Sequence, residues 1–252
     1  MRTRIREVQV KNILTKTGIP GFSYCVNPYA GCSHACRYCY ATFMQRFTGH
    51  TEPWGSFVDV RINAAEVLRK QLKRAKRGAV ILSSVTDPYQ PAEVRYRMTR
   101  KCLAVLELFK LPVNILTKSP LVVRDLDIIS RLDEVSVGLT ITSDDDDVRK
   151  IFEPAAPPVS ARIEALKKLH IAGIETYVFI GPVLPMNPEN LAGEIGPYAD
   201  RILVDTMNYR AKTVHLYRQY NLDQWLNGDY LSVIQSRLKK SFKDINIEFC
   251  GS

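Results

Sequence analysis

No apolar run in this chain approaches the roughly 20 residues that a membrane-crossing helix requires. The opening MRTRIREVQVKN carries charge but lacks the continuous apolar stretch of a secretion signal. A cytoplasmic protein with no membrane partner is the expectation. Gly/Ser-rich linkers, low-complexity tracts and internal repeats are also missing, which leaves one domain as the simplest reading of 252 residues. Acidic residues are in short supply: 26 Asp and Glu against 35 Lys and Arg leave a net charge of +9. That sign favours a polyanionic partner such as DNA or RNA. Much of the excess falls on Arg69, Lys70, Lys73, Arg74, Lys76 and Arg77, at the expected exposed end of a helix, where cations also simply complement the helix dipole.

What is present is an ordinary globular mixture, 46% apolar and 24% charged, enough to bury a core. The six cysteines, in a reducing compartment, are not read as three disulfides. Cys25, Cys102 and Cys250 are scattered, whereas Cys32, Cys36 and Cys39 fall within one short stretch.

After residue 20, short β-rich runs alternate with longer amphipathic segments, the pattern of βα units and a parallel sheet. Strands are predicted at 22–27, 79–86, 113–117, 135–142, 176–180 and 201–205. Helices are expected at 63–76, with Asn63 as its N-cap, and at 97–110, 121–132, 160–172 and 188–199. Two more, at 214–226 and 230–242, should close the domain. Parallel strands with crossover helices form a barrel or an open sheet, and either one places its site at the carboxyl ends of the strands. The polar residues there are Ser84, Thr86, Asp87, Lys118, Ser119, Thr140, Thr142, Asp205 and Asn208. Asp144 to Asp147 read as the opening of a helix rather than a metal site.

The segment NPYAGCSHACRYCYA sets its thiols in a C-x3-C-x2-C spacing just after the first predicted strand. Three thiolates hold three irons of a cubane cluster and leave the fourth open to a small chelating molecule. A structural zinc ion is the alternative, but it needs four ligands, and the chain has no second C-x2-C unit. His34 or Cys25 would have to complete it.

This motif, with Tyr38 before its last cysteine, resembles that of the radical S-adenosylmethionine (radical SAM) superfamily. SSVTDPYQPAE, ILTKS, TITSDDDDVRKIFEPAAPPVSARIEAL and GPVLP narrow the resemblance to the family that includes spore photoproduct lyase. It implies an α/β fold, a partial (β/α)6 TIM-type barrel with parallel strands, closed by C-terminal helices. The expected organisation is a basic segment over 1–20, the barrel over 21–208, and a helical extension over 209–252 packed on it. Cys32, Cys36 and Cys39 are then the ligands of one [4Fe–4S] cluster, with S-adenosylmethionine as the second cofactor. Tyr38 and Tyr40 would flank cluster and adenine, or simply pack. Lys118 matches a lysine that meets the methionine carboxylate. Thr86 and Thr140 match serines near that moiety, Thr142 is the alternative if the strand slips by two, and Pro182 and Val183 would meet the adenine.

The sequence departs from photoproduct lyase at Ser84, which stands where that enzyme keeps its hydrogen-donating cysteine. Cys102 reads as a buried apolar residue and Cys250 as a terminal thiol. The reading is therefore a monomeric enzyme that forms a 5′-deoxyadenosyl radical and abstracts hydrogen from a substrate, with DNA or RNA as the candidate and a flavodoxin or ferredoxin as electron donor. Its rivals are a zinc-containing nucleic-acid-binding protein and a radical SAM enzyme acting on a peptide or small molecule.

Overall fold

The computed structural model describes residues 3–207 and 209–250. Asn208, one of the polar residues singled out above, lies outside them. In chain order the elements are β1 (Arg4–Val8), β2 (Leu14–Lys16), β3 (Tyr24–Val26), β4 (Tyr29–Ala30), β5 (Phe57–Arg61), α1 (Ala64–Leu72), β6 (Val80–Leu82), α2 (Ala92–Tyr96), α3 (Met98–Leu108), β7 (Val113–Thr117), α4 (Leu126–Ile129), β8 (Val135–Thr140), α5 (Asp146–Phe152), α6 (Val159–Ile171), β9 (Glu175–Ile180), α7 (Pro188–Ile195), β10 (Arg201–Val204), α8 (Val214–Gln219), α9 (Gly228–Ser241) and β11 (Asn246–Phe249).

The main sheet runs β11-β10-β9-β8-β7-β6-β3-β2. Every pairing in it is parallel except that of β2 with β3. The six strands expected from the sequence are thus β3 and β6 to β10, in one mixed α/β sheet of the partial-barrel type. Their runs are mainly apolar because both faces are covered: Val26, Leu82, Ile115, Val137, Leu139, Val178, Ile180 and Ile202 are all buried. Helices α3 and α6 begin and end within about two residues of expectation.

Several segments came out differently. The basic amino-terminal segment, which carries no helical or strand signal, supplies β1 and β2; β1 pairs in parallel with β5, making a small sheet with β4. The chain's tail adds β11, with Ile202 opposite Ile247 and Val204 opposite Phe249. Residues 120–132 form two short turns of helix instead of one element. Asn63 does not cap α1 through its side chain; its amide instead pairs with the N–H and C=O of Val10, both at 2.9 Å, and pins the amino-terminal arm. The acidic run behaves as read: Asp145 caps α5 by accepting from Asp147 N (2.7 Å), and Asp146 pairs with Arg149.

Two basic regions separate along the sheet axis. Lys70, Lys73, Arg74 and Lys76 line one groove with Lys11 and Lys16, beside the segment that enters the amino end of β6. That is the end opposite the cysteine segment, which follows the carboxyl end of β3.

Candidate active site

The cysteine segment leaves β3, makes the short β4 and then runs as a loop over the carboxyl ends of the strands. Gly31 begins the turn with φ +81°, and a Cβ there would lie 2.4 Å from the Phe57 carbonyl oxygen, so only glycine fits. The loop is held by groups from distant elements. Thr86 Oγ1 (2.6 Å) and Gln90 Nε2 (3.1 Å) donate to the Gly31 carbonyl, and Gln90 Oε1 accepts from Ser33 N at 3.1 Å. Arg37 N donates to Phe152 O at the end of α5, and Lys212 Nζ donates to Cys39 O, both at 2.8 Å.

All six cysteines are free thiols. Cys32 is buried, and Cys36 and Cys39 are half-buried. Burial, with Asp87 nearby, pushes the Cys32 thiol up to about 12. Burial also raises Cys36 and Cys39, opposed by the charge of Lys118 and, at Cys39, of Lys212. Thiols in this state become thiolates when a metal centre supplies the missing positive charge.

Three thiols on one loop are a donor set that a cubane can use, one thiolate to each of three irons. A closed zinc site needs four converging ligands, and among the described residues no group of three or more His, Cys, Asp or Glu is placed to hold a metal ion. Thiolates that each take a different iron need not share a centre. Of the candidate fourth ligands, Cys25 is engaged elsewhere. Cys25 Sγ lies 3.1 Å from Ser84 Oγ and accepts from Asn27 Nδ2, also at 3.1 Å. His34 is buried, with Nδ1 at 3.4 Å from Asp87.

Beside the loop sits a residue that the sequence reading missed. Glu153 has no exposed surface and accepts from the hydroxyls of Tyr38 and Thr142 (3.0 Å to Thr142) and from the guanidinium of the equally buried Arg162. Lys118 Nζ is 3.8 Å from the same carboxylate and 5.7 Å from the Tyr38 ring centroid. Burial alone would raise the Glu153 carboxyl, but Arg162 and Lys118, with the hydrogen bonds from Tyr38 and Arg162, hold it down to about 2. Burial would likewise lower Lys118, yet Glu153 and Cys36 outweigh it and raise the ammonium above its usual range. Arg162 also donates to the Thr140 carbonyl at 3.0 Å.

Tyr38, Lys118 and Thr142 therefore meet on one carboxylate, while Thr140 is buried at the end of β8 with its carbonyl on Arg162. Tyr40 and Thr86 belong to the other wall. Tyr40 is half exposed and donates to the Ser84 carbonyl, and the Thr86 hydroxyl is spent on the loop itself. Asp87, read as a turn residue first, cross-links this wall to β7. Its carboxylate accepts from Thr117 Oγ1 (2.6 Å) and the amides of Lys118 and Tyr89 (both 2.8 Å). Burial would raise that carboxyl, but His34 and these donors lower it to about 2. Val183 N donates to Asp205 O at 2.9 Å, joining the loops after β9 and β10 at the same end. Cys102 is fully buried and Cys250 exposed. A cavity of about 540 Å³ lined by Phe22, Ala79, Val113, Ser136 and Glu175 opens at the amino ends of the strands and is no part of this site.

The arrangement is thus three thiols of one loop beside a half-buried, charge-paired lysine. An uncharacterized protein of Methanocaldococcus jannaschii is 36% identical over 213 residues, covering 83% of this chain and 80% of its own. A "Radical SAM Nalpha-GlyT isomerase" of Pseudomonas phage M6 is 27% identical over 171 residues, covering 66% of this chain and 35% of its own. Among solved structures, spore photoproduct lyase complexed with dinucleoside spore photoproduct superposes with a TM-score of 0.70 at 13% identity, over 97% of this chain and 82% of that one, a likeness of fold. Residues 26–193, from the end of β3 into α7, match the radical SAM superfamily, and the chain belongs to it.

Proposed function

We infer that the chain binds one [4Fe–4S] cluster through Cys32, Cys36 and Cys39, binds S-adenosylmethionine beside it, and acts on a nucleic acid. When bound, these cofactors supply a 5′-deoxyadenosyl radical that removes a hydrogen atom from the substrate. The observation that carries the reading is the placement of Lys118. Its ammonium acts on Cys36 and Cys39, and Glu153, 3.8 Å away, keeps it charged in a half-buried setting. A cation so placed would hold the methionine carboxylate by a charge-assisted hydrogen bond. Tyr38 and Thr142, anchored on the same carboxylate, shape that wall, and Tyr40 closes the opposite one.

Support for a nucleic acid comes from the net charge of +9 and from a structure of like fold that holds a dinucleoside. Ser84, where photoproduct lyase has its hydrogen-donating cysteine, keeps the reading short of that enzyme's repair reaction.

Anaerobic reconstitution should give a brown protein with iron and sulfide that forms 5′-deoxyadenosine with dithionite, or with reduced flavodoxin or ferredoxin. Cys36→Ala should remove the cluster. Lys118→Met should keep it but weaken S-adenosylmethionine binding by about tenfold or more, followed through the change in the cluster's EPR spectrum. Stoichiometric zinc without iron, or unchanged binding in Lys118→Met, would overturn the reading.

A further inference from the structure

The helical turn that follows the last cysteine presents, beyond Tyr40, a surface on which the function above has made no demand. Tyr40–Phe47 is a 3-10 segment, and it displays Tyr40, Phe43 and Phe47 at 47%, 42% and 66% exposure. Lone apolar residues at a surface need no explanation, but a group of aromatic rings marks a contact site. Arg46 lies over two of the rings, its guanidinium 5.8 Å from the centroid of Phe43 and 4.6 Å from that of Phe47. Across the mouth, the stretch after β10 adds the exposed ring of Tyr209 with Lys212 Nζ 5.0 Å from its centroid. The two stretches are clamped together, because Lys212 Nζ also donates to Thr42 Oγ1 at 2.6 Å.

These two stretches carry charge of one sign. No Asp or Glu occurs from residue 36 to 51 or from 206 to 222, whereas Arg37, Arg46, Arg210, Lys212 and Arg218 do. Separate aromatic faces interleaved with cations are what a single-stranded polynucleotide requires, since each base has a face to stack and each phosphate a charge to neutralise. A duplex keeps its bases stacked on one another and offers nothing to these rings. A lipid surface asks for a continuous apolar face, which Arg46 interrupts by covering Phe43 and Phe47.

We propose that Phe43, Arg46, Phe47 and Tyr209 form a stacking platform for single-stranded nucleic acid, which leads the strand to the mouth beside Cys39. The proposal rests on the functional reading above and narrows its substrate to an unpaired strand.

The test uses the reconstituted protein and fluorescently labelled strands of about 15 nucleotides, as DNA, as RNA and as duplex, read by anisotropy. Either single strand should bind more tightly than the duplex, with affinity falling as salt rises. Phe47→Ala should weaken single-strand binding on the order of tenfold, Phe43→Ala with Phe47→Ala should weaken it further, and Phe47→Trp should restore it. A preference for DNA or for RNA supports the platform and identifies its sugar. Equal or tighter duplex binding, alanine variants that bind like the parent, or displacement of the strand by phosphatidylglycerol vesicles or poly-glutamate at matched charge would each overturn it. 5′-Deoxyadenosine formed by the same preparations separates the two readings. A protein that makes it and binds duplex but no single strand overturns the platform alone, and one that binds the strand yet makes none overturns the proposed reaction alone.

Discussion

A carboxylate with no exposed surface is expensive to keep ionised, and Glu153 is tolerated only because Arg162 and Lys118 face it while Tyr38 and Thr142 fill its remaining hydrogen-bonding positions. Its folded-state pKa of about 2 lies below the ordinary 4.5, so its contribution to stability is complete above about 4.5 and is lost as the pH falls toward 2. In the cluster-free protein the urea midpoint should therefore drop through that window. Glu153→Gln should lose about 3–5 kcal/mol at neutral pH, because the buried Arg162 and the half-buried Lys118 lose their partner. It should also flatten the acid dependence; a variant as steeply acid-sensitive as the parent would show that another carboxylate is responsible. The sequence makes the thiols and Lys118 legible, since their spacing and strand-end position carry the signal. It hides Glu153, because its partners come from other elements, Tyr38 lying 115 positions away. Nothing in the local spacing of IFEPAAPPVSAR separates a hub from a helix end.

At the scale of elements, the βα alternation was legible because each central strand is apolar on both faces, and the strands at the edges were not. β1 reads RIREV with four of five residues exposed, and β11 reads NIEF with alternating exposure, so neither offers the apolar run that marks a buried strand. The amino-terminal arm and the tail join the sheets through pairings that no local pattern announces. The cluster loop is an element of a different kind, since its shape comes from Gly31 and from the Thr86 and Gln90 clamp on its carbonyl. Gly31→Ala forces a Cβ into the Phe57 carbonyl and a left-handed backbone onto a residue that resists it, a penalty of at least about 1–2 kcal/mol. Iron retained after reconstitution should fall sharply in this variant. Gly193→Ala is the control: the position is an exposed one in α7 with open space around it, and helix propensity should raise stability by about 0.5–1 kcal/mol with iron content unchanged. Equal iron retention in both variants would mean that the turn at Gly31 does not shape the ligand loop.

At the scale of the whole molecule, the positive charge that the composition reveals is divided between two ends of the sheet, and the two portions should act at different stages of binding. The groove of Lys70, Lys73, Arg74 and Lys76 lies at the amino ends of the strands, far from the mouth, where it can contribute to the long-range field but not to contacts with a strand seated beside Cys39. Such charges change encounter rates, whereas groups in direct contact govern escape. Reversing Lys73, Arg74 and Lys76 to Glu should therefore slow association with a labelled single strand by several-fold at low salt, and the deficit should close as screening shortens the field to about 10 Å at 0.1 M. Dissociation and 5′-deoxyadenosine formation should stay at parental levels, while Phe47→Ala should show the opposite pattern, with association preserved and dissociation faster. Stopped-flow anisotropy across a salt series distinguishes them. If the triple reversal instead accelerates dissociation, the amino end of the sheet is itself a contact surface, and the strand must reach around the molecule from mouth to floor.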